Sequence, residues 1–168
     1  MTIPTVPAEA LDALVASGAS LAVAESLTGG RLAAALTGVP GASRVFRGGV
    51  VAYASDVKVA VLGVPSLVVE TDGVVSARCA AAMAAGVRRL LGATWGVATT
   101  GVAGPDPQEG HPPGTVFVGI AGPTGPARAQ RLHLAGDRAA VQDASVAGAL
   151  ALLLSEVSRL PRDETAIG

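Results

Sequence analysis

The sequence predicts a three-layer α/β/α single domain with a mixed sheet of about five strands, ending in an antiparallel hairpin and a long helix. Three observations support this prediction. Strand-like and helical segments alternate through the first hundred residues, two strands then follow with a short glycine and proline turn between them, and an apolar helical segment comes last. Strands connected through helices become parallel neighbours, whereas a short turn joins antiparallel ones.

The elements of the first half follow from local patterns. A helix is predicted over residues 8–17, where apolar side chains recur on one face and Gly18 follows as a stop signal. A strand, a polar turn and a second helix come next, over residues 20–24, 25–30 and 31–37. A strand over residues 48–54 then leads into a short helix that Ser55 or Asp56 can cap and that ends near Leu62.

The second half begins with a longer helix over residues 77–91, which Ser76 can cap and whose alanines permit close packing against a sheet. A strand, an irregular glycine and proline loop and the two hairpin strands follow, over residues 94–100, 101–113, 114–121 and 127–134. Asp137 can cap the last helix, from Arg138 to about Ser158. We expect one domain over residues 1–168, with its core at about 8–158 and a frayed tail over 159–168.

Composition restricts the classes of function. Half of the residues are hydrophobic and the net charge is −1, so we expect a folded domain without an extended nucleic-acid surface. Two phenylalanines, one tyrosine and one tryptophan are too few for base stacking. Cys79 is the single cysteine, which excludes an internal disulfide and a multi-cysteine metal site.

Location and assembly can also be predicted. No uninterrupted apolar run is long enough to cross a membrane, and no basic residue precedes Arg31 as a secretory signal would require. We therefore expect a cytoplasmic protein with a small-molecule ligand and no nucleic-acid or membrane partner. The alanine-rich surface makes a homo-oligomer the expected state.

Binding sites in open α/β sheets lie beyond the carboxyl ends of parallel strands. Three turns that follow predicted strands carry polar or glycine-rich sequence, over residues 25–30, 53–58 and 99–106. In the first turn Ser26 lies just past a strand, and the N–H groups of Thr28, Gly29 and Gly30 could hold a phosphate or an oxyanion. An ordinary capped turn explains the same spacing equally well.

Most named motifs are absent. There is no P-loop, no dinucleotide-binding glycine pattern and no glycine-flanked nucleophile elbow around Ser26. His111 and His133 are not at metal-ligand spacing, and nothing supports a Ser-His-Asp triad. Residues 55–58 form an S-x-x-K pattern with Ser55 as the nucleophile, but its usual companion motifs are missing.

Lys58 is the only lysine among the 12 basic residues. A function that needs an amine able to lose its proton would explain why arginine does not replace it. A chance surface lysine is the simpler explanation, and composition by itself favours that one.

Several segments occur in order from about residue 8 to 158. They read AESLTGG, PGAS, FRGGVVAY, LGV, TGVAGPD, GTV and GDR, with Lys58 after the third. Together they resemble the CinA carboxyl-terminal domain family, whose characterised activity is the deamidation of nicotinamide mononucleotide. Larger CinA proteins carry an additional amino-terminal domain for which this chain has no room, so the resemblance implies the stand-alone form.

The resemblance implies a serine amidohydrolase in which Ser26 is the nucleophile and Lys58 the general base. Tyr53 and Thr100 match further polar positions of the family's catalytic site, and Arg138 matches a basic one. The reaction would pass through an acyl-enzyme that water hydrolyses, so no metal and no organic cofactor are expected.

The substrate phosphate has two candidate positions. One is the loop containing Gly101 and Gly104 together with Arg138, and the other is the helix end at residues 28–30. The sequence departs from the family at Leu27, where many members have cysteine, and at Ser55, where asparagine is frequent. The alternative functions are a non-catalytic, regulatory nucleotide-binding module and a Ser/Lys amidohydrolase with another substrate.

Overall fold

The computed structural model describes residues 5–160, which form an open five-stranded sheet between two layers of helices. The strands are β1 (Leu21–Glu25), β2 (Phe46–Val51), β3 (Trp95–Gly101), β4 (Thr115–Ala121) and β5 (Arg128–His133). The α-helices are α1 (Val6–Ala16), α2 (Arg31–Thr37), α3 (Ser55–Ala60), α4 (Ser66–Asp72), α5 (Ala77–Leu90) and α6 (Arg138–Arg159), and a 3₁₀ turn covers Ala42–Arg44.

The sheet has the strand order β2-β1-β3-β4-β5. β1 lies parallel to both β2 and β3, whereas β4 is antiparallel to both β3 and β5. The predicted mixed sheet and terminal hairpin are therefore confirmed. Because β1, β2 and β3 are parallel, their carboxyl ends lie at one edge of the sheet, and the turns that follow them meet there.

The two faces of the sheet pack against different helices. Leu21 and Val23 of β1 belong to an apolar cluster with α1, α2 and α6. Ala22 and Ala24, which point to the other face, belong to a cluster with α4 and α5. This alternation follows from the two-residue period of a strand and gives the predicted three layers.

Glycines in the strands allow α5 to lie very close to the sheet. A Cβ atom at Gly96 would stand 2.2 Å from the carbonyl oxygen of Ala84, and one at Gly119 would stand 2.0 Å from that of Ala80. No real Cβ atom tolerates these distances, so both positions require glycine. The close packing predicted from the alanines of α5 is confirmed, and the strands contribute to it as much as the helix.

Two predicted helix caps are confirmed and one is wrong. The Ser76 hydroxyl accepts the Cys79 N–H at 3.1 Å, and the Asp137 carboxylate accepts the Ala140 N–H at 2.9 Å. Neither Ser55 nor Asp56 caps α3, because the chain leaves β2 extended as far as Ala54 and Ser55 is already the first helical residue.

α4 is not among the helices predicted from the sequence. Its Leu-Val-Val-Glu-Thr stretch is rich in β-branched residues that disfavour helices in isolation. Val68 is buried in the cluster with α5, and this tertiary packing outweighs the weak local preference. β2 also begins and ends earlier than predicted, at Phe46 and Val51.

α6 is the one helix within residues 5–160 that is long and apolar enough to cross a membrane, judged by length and composition alone. Its apolar residues are interrupted by polar ones, so the length of uninterrupted apolar runs does not indicate it. Val141, Leu150 and Leu153 of α6 are buried in the same cluster as α1 and the sheet, so the helix is part of the core. The predicted tail would begin at Arg159, which is still helical and is followed by Leu160 as the C-cap of α6, whereas residues 161–168 lie outside the described residues.

Candidate active site

A cavity of about 390 Å³ opens at the sheet edge where β1 and β3 end. Its wall combines parts of all three polar turns with the start of α6. The lining residues are Ser26, Leu27, Tyr53, Ser55, Lys58, Val74, Val75, Thr100 to Gln108 and Arg138. The fold therefore brings most of the predicted site residues to one place.

The structure pairs Lys58 with Ser26. Ser26 follows β1 directly, and Lys58 projects from α3 with only 1% of its surface exposed. The Lys58 ammonium donates to Ser26 Oγ at 3.0 Å, to the Ala52 carbonyl at 2.8 Å and to the Tyr53 carbonyl at 3.1 Å. These acceptors use all three donor directions of the Nζ atom, so the position of the amine is tightly defined.

Burial controls the ionisation of this amine. Desolvation lowers the pKa of Lys58 from 10.5, against smaller opposing effects of Cys79 and Glu109. Burial also raises the pKa of Cys79 from 9.0 to about 11, so the thiol is uncharged near neutral pH and cannot then stabilise an ammonium. Burial therefore shifts the ionisation equilibrium of Lys58 towards the neutral amine, in which two N–H bonds can meet the carbonyls and the lone pair can face Ser26 Oγ.

The S-x-x-K alternative is not supported by this geometry. Ser55 is an exposed residue at the start of α3 and lines the cavity. The hydrogen bonds of the Lys58 amine within the described part of the chain go to Ser26 and two backbone carbonyls, not to Ser55. Of the two serines, Ser26 is therefore the one beside the amine.

The helix end at residues 28–30 is not part of the cavity wall. The buried Glu25 carboxylate accepts the Thr28 hydroxyl at 2.7 Å and the N–H groups of Leu32 and Ala33 at 2.8 and 3.0 Å. The start of α2 thus already holds an anion, which is a side chain of the protein itself. The Gly29 N–H donates to the Ser26 carbonyl, and neither Thr28, Gly29 nor Gly30 lines the cavity, so binding of phosphate there has no geometric support.

Arg138 connects two sides of the cavity mouth. Its guanidinium donates to the Gly104 carbonyl at 2.7 Å and to the Tyr53 hydroxyl at 3.1 Å. Tyr53 is 61% exposed at the rim. Gly101 and Gly104 lie in the wall at positive φ, and a Cβ atom at Gly101 would stand 2.5 Å from the Thr115 carbonyl oxygen.

Thr100 lies in the wall, but its hydroxyl is engaged. It donates to the Val74 carbonyl at 2.7 Å, so its proton is used within the protein. The N–H groups of Val74 and Val75 donate to the Glu109 carboxylate at 3.1 and 2.9 Å. Thr100 and Glu109 together fix this side of the cavity.

Three residues that support the site, Glu25, Glu109 and Gln142, are not among those predicted from the sequence. Gln142 is 7% exposed and donates from Nε2 to the Leu27 carbonyl at 2.8 Å. A polar residue on the inner face of α6 is the one signal that could have indicated Gln142. Glu109 lies in the irregular loop, where no periodic pattern indicates which side chains point inward.

Neither histidine belongs to a cluster of metal-ligand side chains in the described part of the chain. His111 packs edge-on against Phe117 with ring centres 6.4 Å apart, and His133 lies in β5. Within residues 5–160, no three His, Cys, Asp or Glu side chains lie together as metal ligands would.

Comparison with known proteins gives a consistent result. The family model described as CinA C-terminal domain matches residues 4–157. A CinA-like protein of Frankia casuarinae is 53% identical over 154 residues, which cover 92% of this chain and 35% of that protein. The chain thus spans about a third of the length of this curated relative.

Solved structures share the whole fold. A CinA superfamily protein from Klebsiella pneumoniae superposes with a TM-score of 0.89 and is 34% identical, with 92% of this chain and 97% of that chain covered. One from Escherichia coli gives a TM-score of 0.86 at 31% identity, covering 93% and 94%. With this agreement in sequence and fold, the chain belongs to the CinA C-terminal domain family.

Proposed function

We propose that this domain is a serine amidohydrolase that converts nicotinamide mononucleotide to nicotinate mononucleotide and ammonia. The observation that carries the proposal is the buried Lys58 amine, 3.0 Å from Ser26 Oγ and facing a cavity. A serine hydroxyl is a weak nucleophile until an adjacent base takes its proton, and a neutral lysine can be that base. The cavity volume of about 390 Å³ also falls within the range of small-molecule sites.

In the proposed reaction Ser26 Oγ forms a bond to the carboxamide carbon while its proton moves to Lys58 Nζ. The π electrons of the carbonyl group move onto its oxygen. When this intermediate collapses, the C–N bond breaks, and the nitrogen takes the proton from Lys58 and leaves as ammonia. Water then attacks the acyl-enzyme, and Lys58 accepts its proton and returns it to Ser26 Oγ as nicotinate mononucleotide departs.

The backbone carbonyls around Lys58 support this role. The carbonyls of Ala52 and Tyr53 hold the two N–H bonds of a neutral amine, so the lone pair keeps its direction towards Ser26. They also stabilise the ammonium that forms during the attack. A bound pyridinium ring would add a positive charge near the amine and would favour its neutral form before the reaction.

Arg138 and the loop from Gly101 to Gly104 are the proposed phosphate site. The Arg138 guanidinium has five N–H donors and uses two of its nitrogens on Gly104 and Tyr53, so donors remain for an anion at the cavity mouth. Tyr53 then acts through its carbonyl on Lys58 and through its hydroxyl on Arg138. Thr100 shapes the wall through Val74.

The burial of Lys58 argues against the non-catalytic nucleotide-binding module. A lysine that contacts phosphate must be charged and accessible, whereas the Lys58 side chain is enclosed and all its donors are used. An amidohydrolase with another substrate would share the Ser26–Lys58 pair and differ at the phosphate site. The homo-oligomeric state and the cytoplasmic location expected from the sequence remain predictions.

The test is ammonia release from nicotinamide mononucleotide by the wild-type protein and by Ser26→Ala, Lys58→Arg and Ser55→Ala. We expect losses of about 100-fold or more for Ser26→Ala, which lacks the attacking hydroxyl, and for Lys58→Arg, because arginine cannot act as a neutral base at neutral pH. Ser55→Ala tests the S-x-x-K alternative and should retain most of the activity. A wild-type protein that binds the nucleotide without releasing ammonia would refute the proposal and favour the binding module.

Nicotinamide riboside and nicotinamide serve as comparison substrates. Both contain the carboxamide but lack the phosphate, so a deamidase for the mononucleotide should use them with a higher KM. Equal use of all three would instead indicate an amidohydrolase with broader specificity.

A further inference from the structure

Gln142 is a buried polar side chain on α6 that the proposed chemistry leaves unassigned. Its neighbour Val141 is fully buried, and the Gln142 amide reaches across the sheet edge to the carbonyl of Leu27 at 2.8 Å. Burial of a primary amide is unfavourable unless it forms hydrogen bonds. The hydrogen bond joins residues that are 115 positions apart and holds the turn immediately after the proposed nucleophile.

The backbone N–H groups of this turn are not all used. The Ser26 N–H donates to the Thr99 carbonyl in the sheet, and the Gly29 N–H donates to the Ser26 carbonyl. Within residues 5–160, the N–H groups of Leu27 and Thr28 have no protein acceptor. Donors held without a partner beside a nucleophile are what an oxyanion site requires before the substrate arrives.

Gln142 holds the peptide that joins these two residues. The Leu27–Thr28 peptide is not among the cis bonds, so its C=O and N–H point in opposite directions in one plane. When the Gln142 amide holds the Leu27 carbonyl, it therefore fixes the direction of the Thr28 N–H as well. Leu27 lines the cavity and directly follows Ser26, whereas Thr28 does not line it, so the Leu27 N–H is the one of these two donors that belongs to a residue of the cavity wall.

We infer that Gln142 is a positioning residue that holds the Leu27 backbone in place after Ser26, so that the Leu27 N–H stabilises the oxyanion formed on the substrate carbonyl. This inference rests on the proposed amidohydrolase function. Gln142 takes no proton and forms no bond to the substrate. It acts through the Leu27 carbonyl, and its effect belongs to the step in which negative charge develops.

The test compares kcat and KM for ammonia release from nicotinamide mononucleotide in three variants. Gln142→Met removes the donor at nearly constant size, and Gln142→Arg keeps an N–H the same number of bonds from Cα. Gln130→Met is the control, because it makes the same change at an exposed position of β5. Thermal unfolding of each variant shows whether it is folded.

For Gln142→Met we expect kcat to fall about 10- to 100-fold with KM within about threefold, because loss of oxyanion stabilisation affects the transition state more than the bound substrate. Gln142→Arg and the control should remain close to the wild type. If Gln142→Met does not fold, Gln142→Leu, which also lacks a donor, takes its place with the same expectation.

Three outcomes overturn the inference. The first is an unchanged kcat in a folded Gln142→Met, and the second is an equal loss in the methionine and arginine variants. The third is a rise in KM that accounts for the whole effect. These outcomes require an active wild-type protein. If the wild type itself releases no ammonia, the proposed function is refuted, and the positioning role of Gln142 is refuted with it.

Discussion

Replacement of Lys58 by methionine should change how protein stability depends on pH. In the unfolded chain this lysine keeps its proton up to a pKa of 10.5, whereas in the folded protein burial lowers the pKa. Between these two pKa values the unfolded state binds more protons than the folded state. The free energy of unfolding of the wild type should therefore rise with pH in this window, and that of Lys58→Met should lack this component.

The expected slope follows from linkage. One proton taken up on unfolding makes the free energy of unfolding rise by about 1.4 kcal/mol per pH unit. Below the pKa that Lys58 has in the folded protein, the full free-energy cost of burying the ammonium lowers the stability. This cost disappears as the pH approaches 10.5, the pKa in the unfolded chain. The variant also leaves the carbonyls of Ala52 and Tyr53 without their donor, at about 1–3 kcal/mol each, but this cost does not depend on pH.

Urea unfolding from pH 6.5 to 9 measures the difference between the wild type and Lys58→Met. This range lies below the pKa of about 11 of Cys79, which is present in both proteins. Ser26→Ala is the control, because it keeps the amine and should retain the wild-type slope. A difference between the wild type and Lys58→Met that stays constant over the whole range would show that Lys58 remains charged, and the reasoning for a neutral base would fail.

Two further predictions concern the cavity mouth and the turn between β1 and α2. Arg138→Met should raise KM for nicotinamide mononucleotide about tenfold or more and leave KM for nicotinamide riboside nearly unchanged, since it removes the charged group of the proposed phosphate site. Steady-state kinetics with both substrates test this, and an equal rise for both would contradict it. Glu25→Gln should destabilise the protein by about 2–3 kcal/mol in urea unfolding, because a carboxylate that accepts three hydrogen bonds becomes an amide. A change below 0.5 kcal/mol, the usual range of surface substitutions, would contradict this role.

The prediction of the fold succeeded where the signal is local. Ser76 and Asp137 are recognisable caps because a short polar side chain next to a helix can bond the free N–H groups two or three residues later. The prediction failed at α4, where Val68 and its neighbours have no local preference for helix. Their helical state depends on packing against α5, which is not visible in the segment itself.

Recognition of the site depended on a different kind of signal. Ser26 and Lys58 could be named because they lie in segments that resemble a known family, and the single lysine stood out in an arginine-rich chain. Glu109 and Gln142 could not be found in this way. Each acts through one hydrogen bond or two to backbone groups that are distant in sequence, and such contacts leave no spacing pattern.

The sequence by itself determined the alternation of strands and helices, the three polar turns and the chemical types available in them. Periodicity, caps and turn residues act over a few neighbouring positions, so they can be identified along the chain. Only the tertiary structure decided which serine meets Lys58, that Glu25 rather than a ligand occupies the start of α2, and that the lysine is buried. Desolvation and hydrogen-bond geometry depend on groups brought together from distant parts of the chain, and they exist only once the sheet and its helices have packed.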